Sequence, residues 1–199
     1  MGAPLIARLA SRNPHKLEEL RAALPGWRLE PVAEGEPPAE TGETYYENAR
    51  AKAEFGRSPD AWSLGEDSGL EVEGLAGGPG ILSARFAGPG EEPVAKLLAQ
   101  LEGMTGRARE ARYVCELVAL SPSGVEVRGT GILRGRIADE ARGTEGFGYD
   151  PVFAPVGEER TVAELGNAWK REHSHRALAA QALLATLMGS DPASESSQE

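Results

Sequence analysis

Residues 5–24, LIARLASRNPHKLEELRAAL, decide how the chain begins to fold. The apolar run Leu5 to Ala10 reads as a short buried strand. Asn13 followed by Pro14 is then a helix cap with proline at the first helical position, where a missing N–H costs nothing. Leu17, Leu20 and Leu24 share one face of that helix, and Gly26 ends it. Trp27 to Val32 alternates as a second strand. Further along, Ala111 to Leu120 and Val125 to Ile132, joined by Ser121-Pro122-Ser123-Gly124, read as a hairpin of two long antiparallel strands. Strands alternating with helices and then a hairpin predict an α/β fold with a mixed sheet.

The remaining segments fit between these. Ala33 to Glu43, rich in Pro, Glu and Gly, is a loop exposing several carboxylates. Thr44-Tyr45-Tyr46-Glu47 has capping-box spacing, and a helix from there to about Gly56 gathers Tyr45, Ala49, Lys52 and Ala53. Ala61 to Leu64 and Leu70 to Val72 read as two short strands on either side of an acidic turn. Gly74 to Gly90 is glycine-rich, open either to close backbone approach or to a plain loop. Pro93 to Leu101 is a helix with Leu97, Leu98 and Leu101 inward. The last helix runs from a Ser174 cap to Gly189.

The chain has 199 residues and a formal charge of −10, a length suited to one domain, taken as residues 1–188, with residues 189–199 a disordered acidic tail. The acidity argues against a broad nucleic-acid surface, which needs a basic face. No apolar stretch approaches the about 20 residues that span a bilayer, and the start lacks the pattern of a signal peptide, so the expectation is a soluble cytoplasmic protein. The single cysteine, Cys115, sits in an apolar run and reads as a core thiol.

Four segments can carry chemistry. Ser11-Arg12-Asn13-Pro14-His15-Lys16 lies where strand passes into helix, so free backbone N–H groups, the helix dipole and Lys16 favour a phosphate; an ordinary capped helix reads the same way. In Gly65-Glu66-Asp67-Ser68-Gly69, adjacent carboxylates can hold a hard cation such as Mg2+ and activate water, or can be an exposed turn. Glu40 is a third carboxylate if its loop folds back. Gly146-Phe147-Gly148-Tyr149-Asp150 alternates glycine with aromatics, suiting a flat base or a hinged turn. Lys170 with His175 and Arg176, around the start of the last helix, can donate to carbonyl oxygens of a base or be a solvated helix start. His15 and His173 show no partners and read as surface histidines.

Taken together, SRNPHKLEEL, TYYENARAKA, GEDSGLEVEGLAGGPGILSARFAG, EGFGYDPVF and SHRALA closely resemble, in order from about Leu5 to Met188, the noncanonical purine NTP pyrophosphatases, also called inosine triphosphate pyrophosphatases. The resemblance implies hydrolysis of ITP, dITP and XTP to the monophosphate and pyrophosphate, with Mg2+ and a homodimer. It implies a long, strongly curved mixed sheet flanked by helices, in two lobes with the active cleft between them. Carried over by position, Ser11, Asn13 and Lys16, within Ser11–Lys16, look like triphosphate binders, with Ser68 and Arg85 as further contacts. Asp67 looks like the general base, and Glu40, Glu66 and Asp67 like the metal carboxylates. Phe147, Gly148, Tyr149 and Asp150 resemble the base-binding segment, and Lys170, His175 and Arg176 its basic complement. Where the family often has Thr-Gly-Asn and Asp-Asp-Ser-Gly, this chain has Ser11-Arg12-Asn13 and Glu66-Asp67-Ser68-Gly69; both keep a hydroxyl and two carboxylates. The Maf-type pyrophosphatases, similar in fold, place Ser-Pro-Arg-Arg where this chain has Asn13-Pro14-His15-Lys16.

Overall fold

A computed structural model describes residues 4–189. The strands are β1 (Leu5–Leu9), β2 (Trp27–Pro31), β3 (Trp62–Val72), β4 (Pro79–Gly80), β5 (Glu110–Leu120), β6 (Glu126–Ile137) and β7 (Phe153–Pro155). The helices are α1 (Pro14–Ala23), α2 (Tyr45–Phe55), α3 (Pro93–Gln100), α4 (Val162–His173) and α5 (His175–Gly189). The sheet order is β2-β1-β3-β5-β6-β7, with β4 on the side of β3. β1 runs parallel to β2 and β3, and among the long strands β5 runs antiparallel to both β3 and β6. The α/β class, mixed sheet and hairpin expected from sequence are present, with the hairpin strands longer than read.

Local chemistry starts the helices. The Asn13 carboxamide oxygen accepts from the His15 N–H with Pro14 at the first helical position, and Thr44 with Glu47 closes a capping box on α2. Such a cap is worth about 1 kcal/mol, enough to fix a boundary though not a fold. Burial fixes the rest. The long ribbon β3-β5-β6 carries one core at each end. The first gathers Leu20 and Leu24, from the end of α1, and Ala179 and Leu183 of α5 on Leu64, Cys115 and Leu117. The second gathers Leu97 and Leu101, from the end of α3, on Leu70, Val72, Tyr113 and Phe153. α2 lies on the opposite face from α5, with Ala49 and Ala53 against Val118 and Leu120.

Both sandwiching helices touch the sheet at glycines. A Cβ at Gly65 would lie 1.9 Å from the carbonyl oxygen of Ala49, and one at Gly131 would lie 2.0 Å from that of His175. The backbones of α2 and α5 therefore rest directly on β3 and β6, a closeness that only glycine allows.

The structure corrects two readings and adds elements the sequence did not announce. The acidic run is not a turn: Glu66 and Asp67 lie mid-way along one continuous strand, paired with Leu117 and Glu116 of β5. Glycine and serine suggested a break, but full pairing with β5 outweighs local propensity. Leu5 and Ile6 are exposed, and β1 buries only from Ala7 onward. Three elements went unread: β4, two residues long, β7, three residues long, and α4, whose helical pattern is interrupted at Gly166 (φ 86°). The expected disordered tail lies, beyond Gly189, outside the described residues.

Gly65→Ala and Gly131→Ala should each destabilise the protein by about 2 kcal/mol or more, as overpacked contacts do. A fall in the denaturant midpoint with unchanged slope is the expected reading.

Candidate functional site

The site sits between the two cores, where β3 passes from one to the other. Successive side chains of a strand point to opposite faces, so Glu66 and Asp67 part company. Glu66 enters the face covered by α1 and α5. There it is fully buried, with Lys16 Nζ at 2.7 Å and Arg176 Nε at 3.0 Å. Burial alone would raise its carboxyl, but Lys16 and Arg176 outweigh that and hold it far below the usual glutamate range. Arg176 also donates to the Ser68 hydroxyl at 2.8 Å and pairs with Glu19 at 3.0 Å. Glu19 in turn pairs with Lys170 at 2.6 Å, and Lys170 pairs with Asp150 at 2.6 Å. An alternating chain of charges, Lys16-Glu66-Arg176-Glu19-Lys170-Asp150, thus joins the first helix to the aromatic segment.

Asp67 enters the α2 face. Lys52 Nζ lies 3.0 Å from Asp67 Oδ1, 2.5 Å from Glu40 Oε1 and 3.0 Å from the main-chain oxygen of Glu66. Asn48 donates to Asp67 Oδ2 and accepts from the Gly42 N–H, which folds the acidic loop back over the strand. Burial pushes the Asp67 carboxyl above the ordinary aspartate range, with nearby Glu40 adding to it, although Lys52 and Asn48 pull the other way. Burial also opposes the Lys52 charge, but Asp67, Glu66 and Glu40 overcome it, so the ammonium stays charged. No cluster of three or more metal-ligating side chains occurs among the described residues. Glu40 and Asp67 nevertheless converge on one cation with oxygen donors alone. Two carboxylates and a remainder of water and phosphate oxygens are what Mg2+ accepts, so the donor set fits that ion.

Two adjoining cavities open here and share Asn13, Lys16 and Ala84. One, about 370 Å3, is lined by Ser11, Arg12, Glu36, Glu40 and Lys52. Arg12 spans its mouth to Glu36 at 3.0 Å, and both are exposed. The other, about 300 Å3, is lined by Ser68, Tyr113, Phe147, Gly148, Tyr149, Asp150, His175 and Arg176. A third hollow, larger at about 630 Å3, lies on the open sheet face around Arg112 and Arg134, away from these groups.

Phe147 carries Lys170 Nζ at 4.4 Å from its ring centre, a cation–π distance. Its N–H donates to Asp150 Oδ2. Burial keeps His175 neutral, reinforced by Arg176 beside it. Tyr149 donates to the carbonyl of Ser83, and Arg85 reaches the carbonyl of Glu40 at 3.1 Å. The glycine-rich segment therefore touches both cavities through one short 3-10 turn, Ser83–Arg85. Pro14 is exposed at the helix start and lines neither cavity. His15 and His173 are not partnerless: His15 stacks on Phe147 at 5.0 Å and His173 on Trp169 at 4.9 Å. Glu19, Asn48 and Lys52 were not read as site residues from sequence. Lys52 was read only as a helix neighbour of Tyr45, Ala49 and Ala53, and a lysine grouped with apolar residues was the available signal.

An α/β sheet with a cleft of this make-up, phosphate-type at one end and aromatic at the other, defines a nucleotide-handling protein. The chain belongs to the Ham1 family, which it matches over residues 7–186. It is 45% identical over 166 residues to the dITP/XTP pyrophosphatase of Bdellovibrio bacteriovorus, covering 81% of this chain and 83% of that one. It is likewise 45% identical over 193 residues to the dITP/XTP pyrophosphatase of Frankia alni, covering 90% and 95%. Among solved structures, the Staphylococcus aureus Ham1 protein superposes with a TM-score of 0.80 at 34% identity, covering 92% of this chain and 98% of that one.

Glu66→Gln removes the shared partner of Lys16 and Arg176. Breaking a buried pair from one side costs about 3 kcal/mol or more, and Arg176 keeps Glu19, so the lower figure is expected. The carboxyl is depressed in the folded state, so its contribution is complete above the ordinary glutamate range and fades as pH falls below it. Urea unfolding of both proteins should therefore show a gap that is full at neutral pH and narrows in acid.

Proposed function

We propose that this protein hydrolyses noncanonical purine nucleoside triphosphates, ITP, dITP and XTP, to the monophosphate and pyrophosphate. The observation that carries the reading is the pair of adjoining cavities meeting at Lys16 and Asn13. One is charged and holds Asp67, Lys52 and Glu40 at or beside it; the other is aromatic and ringed by donors. The names of the relatives point to the same chemistry.

Ser11, Asn13 and Lys16 at the start of α1, with Arg12 and Arg85 at the rim, bind the triphosphate, where helix N–H groups and cations favour anions. Glu40 and Asp67 would hold Mg2+, which supplies charge neutralisation along the phosphates when bound. Glu66, which the resemblance placed among the metal carboxylates, enters the other face of the sheet and serves instead as the buried anchor that aims Lys16 and Arg176. Asp67, pushed upward by burial, accepts the proton of a water that attacks the α-phosphorus. The bond from that phosphorus to the bridging oxygen breaks, and pyrophosphate leaves. Lys52 holds Asp67 in place. Phe147 and Tyr149 embrace the base, while Lys170, neutral His175 and Arg176 donate toward a 6-keto oxygen. Adenine's amino group would leave those donors unpaired, which disfavours ATP. The reading extends to a homodimer working in the cytoplasm, where triphosphates await polymerases.

Pyrophosphate release should be strong with ITP, dITP and XTP, weak with ATP, and dependent on added Mg2+; orthophosphate as the product would overturn the reading. Asp67→Asn should lower kcat by about 10²- to 10⁴-fold, the usual worth of a general base, with nucleotide affinity largely kept. Single-turnover kinetics beside equilibrium binding separates the two effects. Gel filtration with light scattering should give twice the chain mass.

A further inference from the structure

Tyr113, on β5, belongs to none of the four segments that the sequence singles out for chemistry, yet it stands beside two of the groups that face the base. Its ring lies parallel to that of His175, 4.5 Å away at an interplanar angle of 7°. Its hydroxyl donates to Asp150 Oδ1 at 3.3 Å. The other oxygen of Asp150 already accepts from Lys170 Nζ and from the Phe147 N–H. Phe153 packs on the tyrosine ring from the core, 4.6 Å away, so the ring cannot slide. Tyr113 is 7% exposed and lines the 300 Å3 cavity.

The consequences follow from torsional freedom. The terminal torsion of an aspartate is broad, and turning it moves both oxygens, so the Tyr113 hydroxyl on Oδ1 narrows the range that Lys170 and the Phe147 N–H leave open at Oδ2. Imidazole orientation is equally loose without a packing plane. Burial raises the Tyr113 phenol well above its ordinary value, with nearby Asp150 adding to the shift, so the hydroxyl keeps its proton and stays a donor. Asp150 in turn aims Lys170 and pins the Phe147 backbone.

We infer that Tyr113 is a positioning residue for base discrimination, fixing the plane of His175 and the rotation of Asp150 so that the donors meet a 6-keto purine. The inference rests on the functional reading above. Tyr113→Phe keeps the stack and loses the hydroxyl; Tyr113→Leu loses both.

Steady-state kinetics of wild type and both variants with ITP and ATP, alongside thermal unfolding, tests this. In Tyr113→Phe the ITP-over-ATP ratio of kcat/KM should fall about three- to tenfold, the worth of one hydrogen bond. The change should lie in KM for ITP, with kcat moving less than about twofold. Tyr113→Leu should lose more of the ratio. A merely structural tyrosine would lower stability, or slow both nucleotides in parallel, and leave the ratio intact; that result in Tyr113→Phe overturns the inference. Wild type without preference for ITP over ATP would instead overturn the functional reading itself, and the inference with it.

Discussion

The arrangement hangs on the alternation of one strand. Because Glu66 and Asp67 are neighbours on β3, one carboxylate enters each face of the sheet, and each meets its own cations. One face becomes a fixed framework of buried ion pairs. The other becomes the place where a carboxylate with a raised carboxyl sits beside a lysine and a folded-back loop. A turn at this point would have let both acids face the same way and compete for one cation. The strand separates scaffold from reactive group with no intervening residue, and β5, paired along the whole run, holds the register that keeps them apart.

The same strand explains why the site lies between two cores. β3, β5 and β6 are long enough to carry a packed cluster at each end, and between them the sheet is left to polar side chains. The close seating of α2 on Gly65 and α5 on Gly131 brings Lys52 and Asn48 down from one side and His175 and Arg176 from the other. With larger residues at either position, those helices would stand off the sheet and their side chains would fall short of β3.

Much of this was legible in the sequence where the signal is local. Asn13 with Pro14 and Thr44 with Glu47 announce their helices because a cap is made from residues within four positions of one another. The hairpin is legible for the same reason. The acidic run misled because Gly65, Ser68 and Gly69 are turn formers in isolation, and only pairing with a strand some fifty positions away makes them sheet. α4 was missed because Gly166 interrupts its pattern, although Thr161 and Glu164 spell a capping box at its start. Among site residues, the motif-bearing segments stood out, while Glu19 and Tyr113 did not: a charged residue on a helix and an aromatic in a strand are ordinary until the fold places Lys170, Arg176, His175 and Asp150 beside them. Family resemblance supplied what spacing alone could not, namely which segments share a cleft.

The short turn Ser83–Arg85 has a mechanical meaning. Tyr149 hangs on its first residue and the Glu40 main chain on its last, so the wall of the base cavity and a carboxylate of the phosphate cavity are tied to opposite ends of a three-residue lever. The base-side wall and the acidic loop are therefore hydrogen-bonded to one and the same turn. The two ends of the cleft thus share a mount of three residues, outside the long strand that carries Glu66 and Asp67.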